Sequence, residues 1–343
     1  MRDLTVISHM PDYYHGWPTL SRRKNGELLL VYSGGRRAHV CPFGRVELMR
    51  SHDSGKTWTP PTILINSPID DRDAGILETR QGSILTTTFT SLDYTNHLPE
   101  DHKERNLWAN AYQQITRQQQ RALLGVWMIR STDGGVCWSA PYDSLVNSPH
   151  GPIQISDGRL LYVGKSRWKK EHIGACHSID DGQTWQWLSG IPTRPGDDQV
   201  DYHELHAVEA SSGRIVIHIR NHNQNNLAET LQSESTDGGK TWSSPHEIGV
   251  WGLPSHLLRL QDNRLLMSYG HRRPPRGNLA RLSDDDGDSW SAPITISDDG
   301  THDDLGYPST VQVDNGTLIT VWYERMSNSP MAVLRQCTWM LPG

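Results

Sequence analysis

The sequence predicts an all-β chain closed into a six-bladed β-propeller of four-stranded blades, with a helical insertion in blade two. Three observations predict it. An eight-residue motif, Ser-x-Asp-x-Gly-x-x-Trp, starts at Ser51, Ser131, Ser178, Ser235 and Ser283 and ends at Trp58, Trp138, Trp185, Trp242 and Trp290. Six apolar or alternating runs fold over a turn residue, at Gly26, Gly82, Gly158, Gly213, Asn263 and Gly316, as hairpins do. Four of the five steps between these turns are 50–56 residues and the second is 76, which is blade-sized spacing with one interruption.

Each element follows from local chemistry. In the motif, the Asp side chain can accept hydrogen bonds from the backbone ahead of it, Gly supplies a positive φ, and Trp is expected to plug the turn against its own blade. These aspartates therefore read as structural. The sixth unit lacks the motif and ends soon after RQCTW, so the N-terminal run LTVIS is expected to complete blade six as its outer strand and hide the edge. The interruption, residues 91–123, is polar, Gln-rich and without Gly. From about Glu100 it reads as one helix, shaping the binding mouth, lying solvated on the surface or making a dimer contact.

Composition narrows the function. The 343 residues carry a net charge of −6 with scattered signs, unlike the basic stripe of a nucleic-acid binder, and repetition throughout argues for one domain over 1–343. No run is long enough to span a membrane and MRDLTVISHM has no apolar signal core, so the chain reads as cytoplasmic unless a leader has been removed. Cys41, Cys137, Cys176 and Cys337 show no metal-site spacing and read as free thiols, and no cofactor motif is present. Thirteen Trp against two Phe suits the turn plugs, with some left as sugar platforms.

Propeller geometry says where chemistry belongs. The innermost strand of each blade starts near the axis on one face, so residues just before each hairpin converge. These are Tyr14 and His15, then Asp70, Asp71, Arg72 and Asp73, His150, His203 and Glu204, His256, and Tyr307. Loops add His39, Arg220, His271, Arg272, Arg273 and Arg276. A funnel of His, carboxylate, Tyr and Arg is the inventory of an enzyme site. A metal site from His15, His150, His203 and His256 would lack local ligand spacing.

With these motifs the chain resembles the sialidase (neuraminidase) superfamily over its whole length. HELHAVEASSGRIVIHIRN resembles the segment carrying the glutamate that activates the nucleophile and a carboxylate-binding arginine, which implies those roles for Glu204 and Arg220. GYPSTVQVDNGTLITVWYE resembles the segment of the nucleophilic tyrosine and a later Tyr-Glu pair, which implies Tyr307 and Glu324. RGNLARLSDDDGDSW nominates Arg276 as a further clamp arginine, with Arg272 and Arg273 as competitors.

Two departures accompany the resemblance. Where the superfamily carries Arg-Ile-Pro this chain reads Gly16-Trp17-Pro18, and no Asp occurs between Leu20 and Ser51, where the acid/base would sit. Arg72 could reach in as a clamp, and His39, Asp71 or Asp73 could serve as acid/base. The expected activity is that of an exo-acting retaining glycosidase, releasing a terminal, acidic sugar from an oligosaccharide or glycoconjugate. A tyrosine nucleophile suits such a substrate, because a bare carboxylate would repel the sugar's own. Two alternatives stay open: a uronate lyase using His150, His203 or His256 as base with Tyr307 as acid, and a non-catalytic carbohydrate-binding propeller.

Overall fold

The computed structural model describes residues 2–166, 173–327 and 329–342. Six antiparallel sheets are arranged as a ring, each a meander that runs from an inner to an outer strand. The inner strands are Tyr14–Arg22, Asp70–Glu78, Tyr202–Glu209, Ser255–Arg259 and Leu305–Gln312. In blade three the inner strand is split into Val146–Asn147 and Ile153–Gln154, both paired with Leu160–Ser166.

The core lies between blades. One cluster joins Leu28, Leu30 and Tyr32 of blade one to Val311, Ile319 and Val321 of blade six, and five more clusters fill the other blade-to-blade contacts. Both faces of most sheets are therefore apolar, which is why these strands read as near-continuous hydrophobic runs. The strand Asp3–Val6 pairs antiparallel with Ala332–Trp339, Asp3 opposite Thr338, and forms the outer strand of blade six as expected.

The five motifs adopt one geometry. Ser51 Oγ donates to Asp53 Oδ1 at 2.8 Å and accepts from Gly55 N at 2.8 Å, while Asp53 Oδ1 accepts from Thr57 N at 2.9 Å. The other four copies repeat these bonds. Three of the five tryptophans differ from expectation, while Trp138 donates to the Gly135 carbonyl of its own turn at 3.2 Å and Trp185 Nε1 has no partner among the described residues. Trp58 donates to Gln336 at 3.0 Å, Trp242 to Ser189 at 3.0 Å and Trp290 to Gln232 at 2.9 Å, each on the preceding blade. An indole N–H at a blade interface needs an acceptor, and the carbonyls of its own sheet are already used in the ladder.

The insertion in blade two contains α1 (His102–Gln113) and α2 (Arg117–Leu123), where one helix was expected. Asp101 caps the first, and a Thr116–Gln119 capping box starts the second and so divides them. Trp108 of α1 is buried with Cys41, Ile69 and Tyr94, and Glu104 pairs with Arg37. The insertion thus braces the loop of residues 37–44, which carries His39.

A shared backbone feature turns four inner strands toward the axis. Their registers slip between Gly16 and Thr19, Arg72 and Gly75, His203 and His206, and Gly306 and Ser309. Within these bulges Trp17, Asp73, Glu204 and Tyr307 take φ values of 53°, 47°, 46° and 54°. Such left-handed conformations in non-Gly residues cost about 1–3 kcal/mol each and gather at functional sites.

Beneath this layer lies a buried ion pair between blades one and two. Arg36 donates to Asp70 through Nη1 at 2.5 Å and Nη2 at 2.9 Å, and both side chains are 0% exposed. A Cβ on Gly44 would stand 2.0 Å from Asp70 Oδ1, so only glycine fits there. Arg36 Nη2 also donates to the His39 carbonyl at 2.8 Å. Arg36→Met would strand the Asp70 charge and should lower stability by about 3–5 kcal/mol in denaturant titrations. Adding Asp70→Leu should restore much of that loss, because an apolar replacement of the whole pair leaves no buried charge. A loss under about 1 kcal/mol for Arg36→Met alone would show the pair is not a structural anchor.

Candidate active site

The bulged residues meet at the axis. Tyr307 Oη donates to Glu204 Oε1 at 2.5 Å, and Arg220 Nη1 donates to Glu204 Oε2 at 2.5 Å and to Tyr307 Oη at 2.9 Å. Arg220 reaches them from the second strand of blade four, where it pairs in register with His203, and its Nε donates to His222 at 2.8 Å. Blades four and six are thereby joined across the axis by three side chains.

Charge is distributed unevenly among the buried groups. Burial raises the Tyr307 phenol well above its ordinary value and the Glu204 charge adds to this, while Arg220 opposes it. Burial acts to raise Glu204 as well, but the charge of Arg220 and the bonds from Tyr307 and Arg220 outweigh it and hold this carboxyl below its ordinary value. Asp73 goes the other way. Burial, with the Glu204 charge adding to it against Arg72, Arg36 and Arg220, pushes it up to about 7. Its Oδ1 has no partner among the described residues. One carboxyl is kept ionised while its neighbour titrates near neutral pH.

Two lobes open beside this group. A cavity of about 260 Å³ is lined by Asp73, Glu204, His203, Lys165, Asn147 and Phe89. His203 accepts from Lys165 at 3.2 Å and is lowered to about 4 by burial and by that ammonium. A cavity of about 700 Å³ on the other side is lined by Arg220, Arg272, His222, Trp251 and Asp304. Arg272 is anchored by Nε to the Leu305 carbonyl at 3.0 Å, with Nη2 3.5 Å from Tyr323 Oη.

Asp304 organises the rim of the larger lobe. It accepts from Tyr14 Oη at 2.9 Å and Tyr323 Oη at 3.1 Å, and His39 Nδ1 lies 3.0 Å away. Burial alone would raise its pKa; the bonds from His39, Tyr14 and Tyr323 prevail and lower it. His39 is 46% exposed and stands edge-on to Trp17 at 5.0 Å between ring centroids. Trp17, in the stretch where the resemblance would put an arginine, is a buried floor with Arg36 and Arg72 over its ring at 4.8 and 4.4 Å.

The structure brings together Tyr307, Glu204, Arg220, Asp73, Arg72, Tyr14, His39, His203 and Arg272. Other residues expected there lie elsewhere. His15 alternates to the opposite face from Tyr14, edge-on to Tyr32, with Nδ1 3.1 Å from Ser8 Oγ. Asp71 is buried with Oδ2 accepting from Ser67 N at 2.6 Å. Glu324 shares the face of Trp322, accepts from it at 2.9 Å and pairs with Arg335 at 2.8 Å, so Tyr323 rather than Glu324 faces the site. Arg276 opens the third strand of blade five opposite Gly300, and Arg272 lines the cavity instead. His150 and His256 lie in a separate cavity with His206. Among the described residues no three His, Cys, Asp or Glu side chains are placed to hold a metal ion.

Asp304, Tyr323, Trp17, His222 and Lys165 were not singled out from sequence. Tyr323 had a signal, since period-2 alternation allows only one of Tyr323 and Glu324 to face the axis. Asp304 had none, because its role comes from three partners distant in sequence.

Comparison with known proteins agrees with this fold. The model of the BNR repeat-like domain matches residues 84–320. A sialidase from Bacteroides fragilis (strain YCH46) is 23% identical over 342 residues, covering 90% of this chain and 59% of that relative. This chain therefore spans less than two thirds of the relative's length. The crystal structure of a protein of unknown function from Dyadobacter fermentans superposes with a TM-score of 0.78 at 24% identity, covering 99% of this chain and 98% of the other. The intramolecular trans-sialidase from Ruminococcus gnavus gives a TM-score of 0.72 at 13% identity, covering 99% and 97%. At these identities the structural likeness speaks for the fold, while the family match spans most of the chain. With five motif copies on a six-bladed ring and this match, the chain belongs to the BNR repeat-like family.

Proposed function

We propose that the protein is an exo-acting retaining glycoside hydrolase that releases a terminal acidic sugar, with Tyr307 as nucleophile. The observation that carries this reading is the contact of Tyr307 Oη with Glu204 Oε1 at 2.5 Å, bridged by Arg220. A phenol held above its ordinary pKa is a poor nucleophile unless a base takes its proton as it attacks. Glu204, kept ionised by Arg220, is that base. Transfer of the proton converts an ion pair beside a neutral phenol into a neutral acid beside a glycosylated oxygen, so no bare anion faces an acidic substrate.

The remaining groups complete the cycle. Asp73, protonated below about pH 7, donates its proton to the departing glycosidic oxygen as Tyr307 bonds to the anomeric carbon. In the second half-reaction the Asp73 carboxylate takes a proton from water, the water oxygen bonds to the anomeric carbon, and Tyr307 leaves and recovers its proton from Glu204. Arg220 and Arg272 face the larger lobe and receive the sugar's carboxylate, a pairing favoured by the planar guanidinium. His39, oriented by Asp304, borders the sugar across Trp17. The lyase alternative loses its bases, since His150 and His256 lie in the other cavity and His203 is tied to Lys165.

Tyr307→Phe and Glu204→Gln should each lower kcat by ~10²–10⁴-fold or more with the fold intact by circular dichroism. The double variant should lose little beyond either one, because groups acting as a unit are not additive. Near-full activity of Tyr307→Phe would remove the tyrosine mechanism.

The acid role of Asp73 sets a pH dependence. Its proton is present below about 7 and lost above, so kcat/KM should fall as pH rises through about 7. In Asp73→Asn this alkaline limb should disappear, and aryl glycosides with good leaving groups should retain far more activity than alkyl glycosides. An unchanged limb in that variant would assign the acid to another group, His39 foremost.

Arg272→Ala should raise KM for an acidic glycoside by on the order of 10–100-fold, as loss of a charged hydrogen bond of about 1.5–3 kcal/mol implies. The corresponding neutral glycoside should be a poor substrate for both proteins. Equal turnover of neutral and acidic glycosides by the parent protein would overturn the acidic-sugar reading.

A further inference from the structure

We propose that the face of the ring opposite the active site holds a second binding site, for a small oxyanion taken up by His206 and His256. A cavity of about 360 Å³ opens there between the far ends of the inner strands. Its lining includes His150, His206, His256, Arg22 and Arg259 and no Asp or Glu, in a chain whose net charge is −6. A cavity without carboxylates, lined by five His and Arg side chains, is complementary to an anion.

The histidine hydrogen bonds fix what the rings can offer. His206 Nδ1 accepts from Leu257 N at 2.9 Å, and His256 Nδ1 accepts from Thr310 N at 3.5 Å. In the neutral imidazole the proton must then be on Nε2, which has no protein partner in either residue among the described residues. The two rings stack with centroids 4.6 Å apart and an interplanar angle of 18°, so both belong to one binding surface. His150 stands edge-on to both, with Nδ1 3.3 Å from Thr19 Oγ1 and Nε2 buried and unpartnered.

This arrangement selects an acceptor over a metal. A cation would need the Nε2 lone pairs, yet with Nδ1 already accepting a backbone N–H each ring would have to become an imidazolate. Burial keeps the rings neutral, lowering His256 to about 3, so they act as uncharged N–H donors while the arginines supply charge. Arg22 pairs with the exposed Asp314 through Nη2, which leaves its buried Nε without a partner. A tetrahedral or planar oxyanion such as phosphate or a carboxylate has the several acceptor oxygens this donor set calls for.

Isothermal titration of the full chain with inorganic phosphate at pH 7 tests the site. Phosphate should also reach the active-site arginines, so Arg272→Ala serves as the background. Binding should persist in Arg272→Ala and weaken by ~10-fold or more when either His256→Phe or Arg22→Met is added. Arg22→Met changes a side chain at the cavity mouth and decides the matter alone should His256→Phe not fold. Absence of phosphate binding in the Arg272→Ala background, or binding there indifferent to Arg22→Met, would overturn the proposal. So would micromolar binding of zinc that His256→Phe abolishes, since that requires the tautomer excluded above.

Discussion

The bulge shared by the inner strands is the constraint on which the site depends. A regular strand alternates its side chains between its two faces, and in this ring both faces are committed to contacts with neighbouring blades. Side chains can be aimed along the axis only by breaking that alternation. The slips at Trp17, Asp73, Glu204 and Tyr307 do this, each with a positive φ that costs free energy. Six apolar interfaces between blades hold the backbone in that conformation. Tyr307, Glu204, Asp73 and Trp17 are thus four instances of one backbone deviation.

Electrostatics then differentiates residues that geometry makes equivalent. Glu204 and Asp73 occupy corresponding places in their blades, and both are buried. What separates them is that Glu204 receives Arg220 and Tyr307 directly, whereas Asp73 has an oxygen without a partner among the described residues. The same burial penalty acts on both, and it prevails at Asp73 but is outweighed at Glu204 by Arg220 and Tyr307. Arg36, fully committed to Asp70, contributes its charge at a distance without being available to a ligand. The site obtains its asymmetry from hydrogen-bond partners rather than from the ring, which is nearly symmetric.

The ring was legible in the sequence because each blade repeats its own turn chemistry. Ser, Asp, Gly and Trp at fixed offsets identify the corner, and Gly or Asn at each hairpin identifies the step. The strand closing blade six followed from the need to hide an edge. The central cluster was legible where a strand start carried a distinctive residue, as at Glu204, Tyr307 and Asp73. It failed at His15, Asp71 and Glu324, because adjacent strand residues face opposite ways and the bulge shifts which one faces the axis. It failed at His150 and His256 because the inner strand of blade three is split and that of blade five lacks the slip, and the two rings lie in the other cavity with His206. Asp304 could not be found, since a side chain that gathers Tyr14, His39 and Tyr323 has no pattern of its own. The direction of the motif tryptophans was likewise invisible, being a relation between blades and not within one.

The pairing of Asp3–Val6 with Ala332–Trp339 bears on how the molecule is made. During synthesis the first strand emerges long before its only sheet partner. Until that partner is translated, the strand has no ladder to join, and the growing arc of blades exposes an open apolar side at either end. Blades one to five can each form from contiguous sequence, but the interface between blades one and six joins segments some three hundred residues apart. Such a non-local contact is slow to form and is rewarded only at the end. Completion of the circle is thus the step at which an interrupted chain is most exposed to association with another copy of itself. Since Tyr307 belongs to blade six and Glu204 to blade four, the hydrogen bond between them also waits on the last blade.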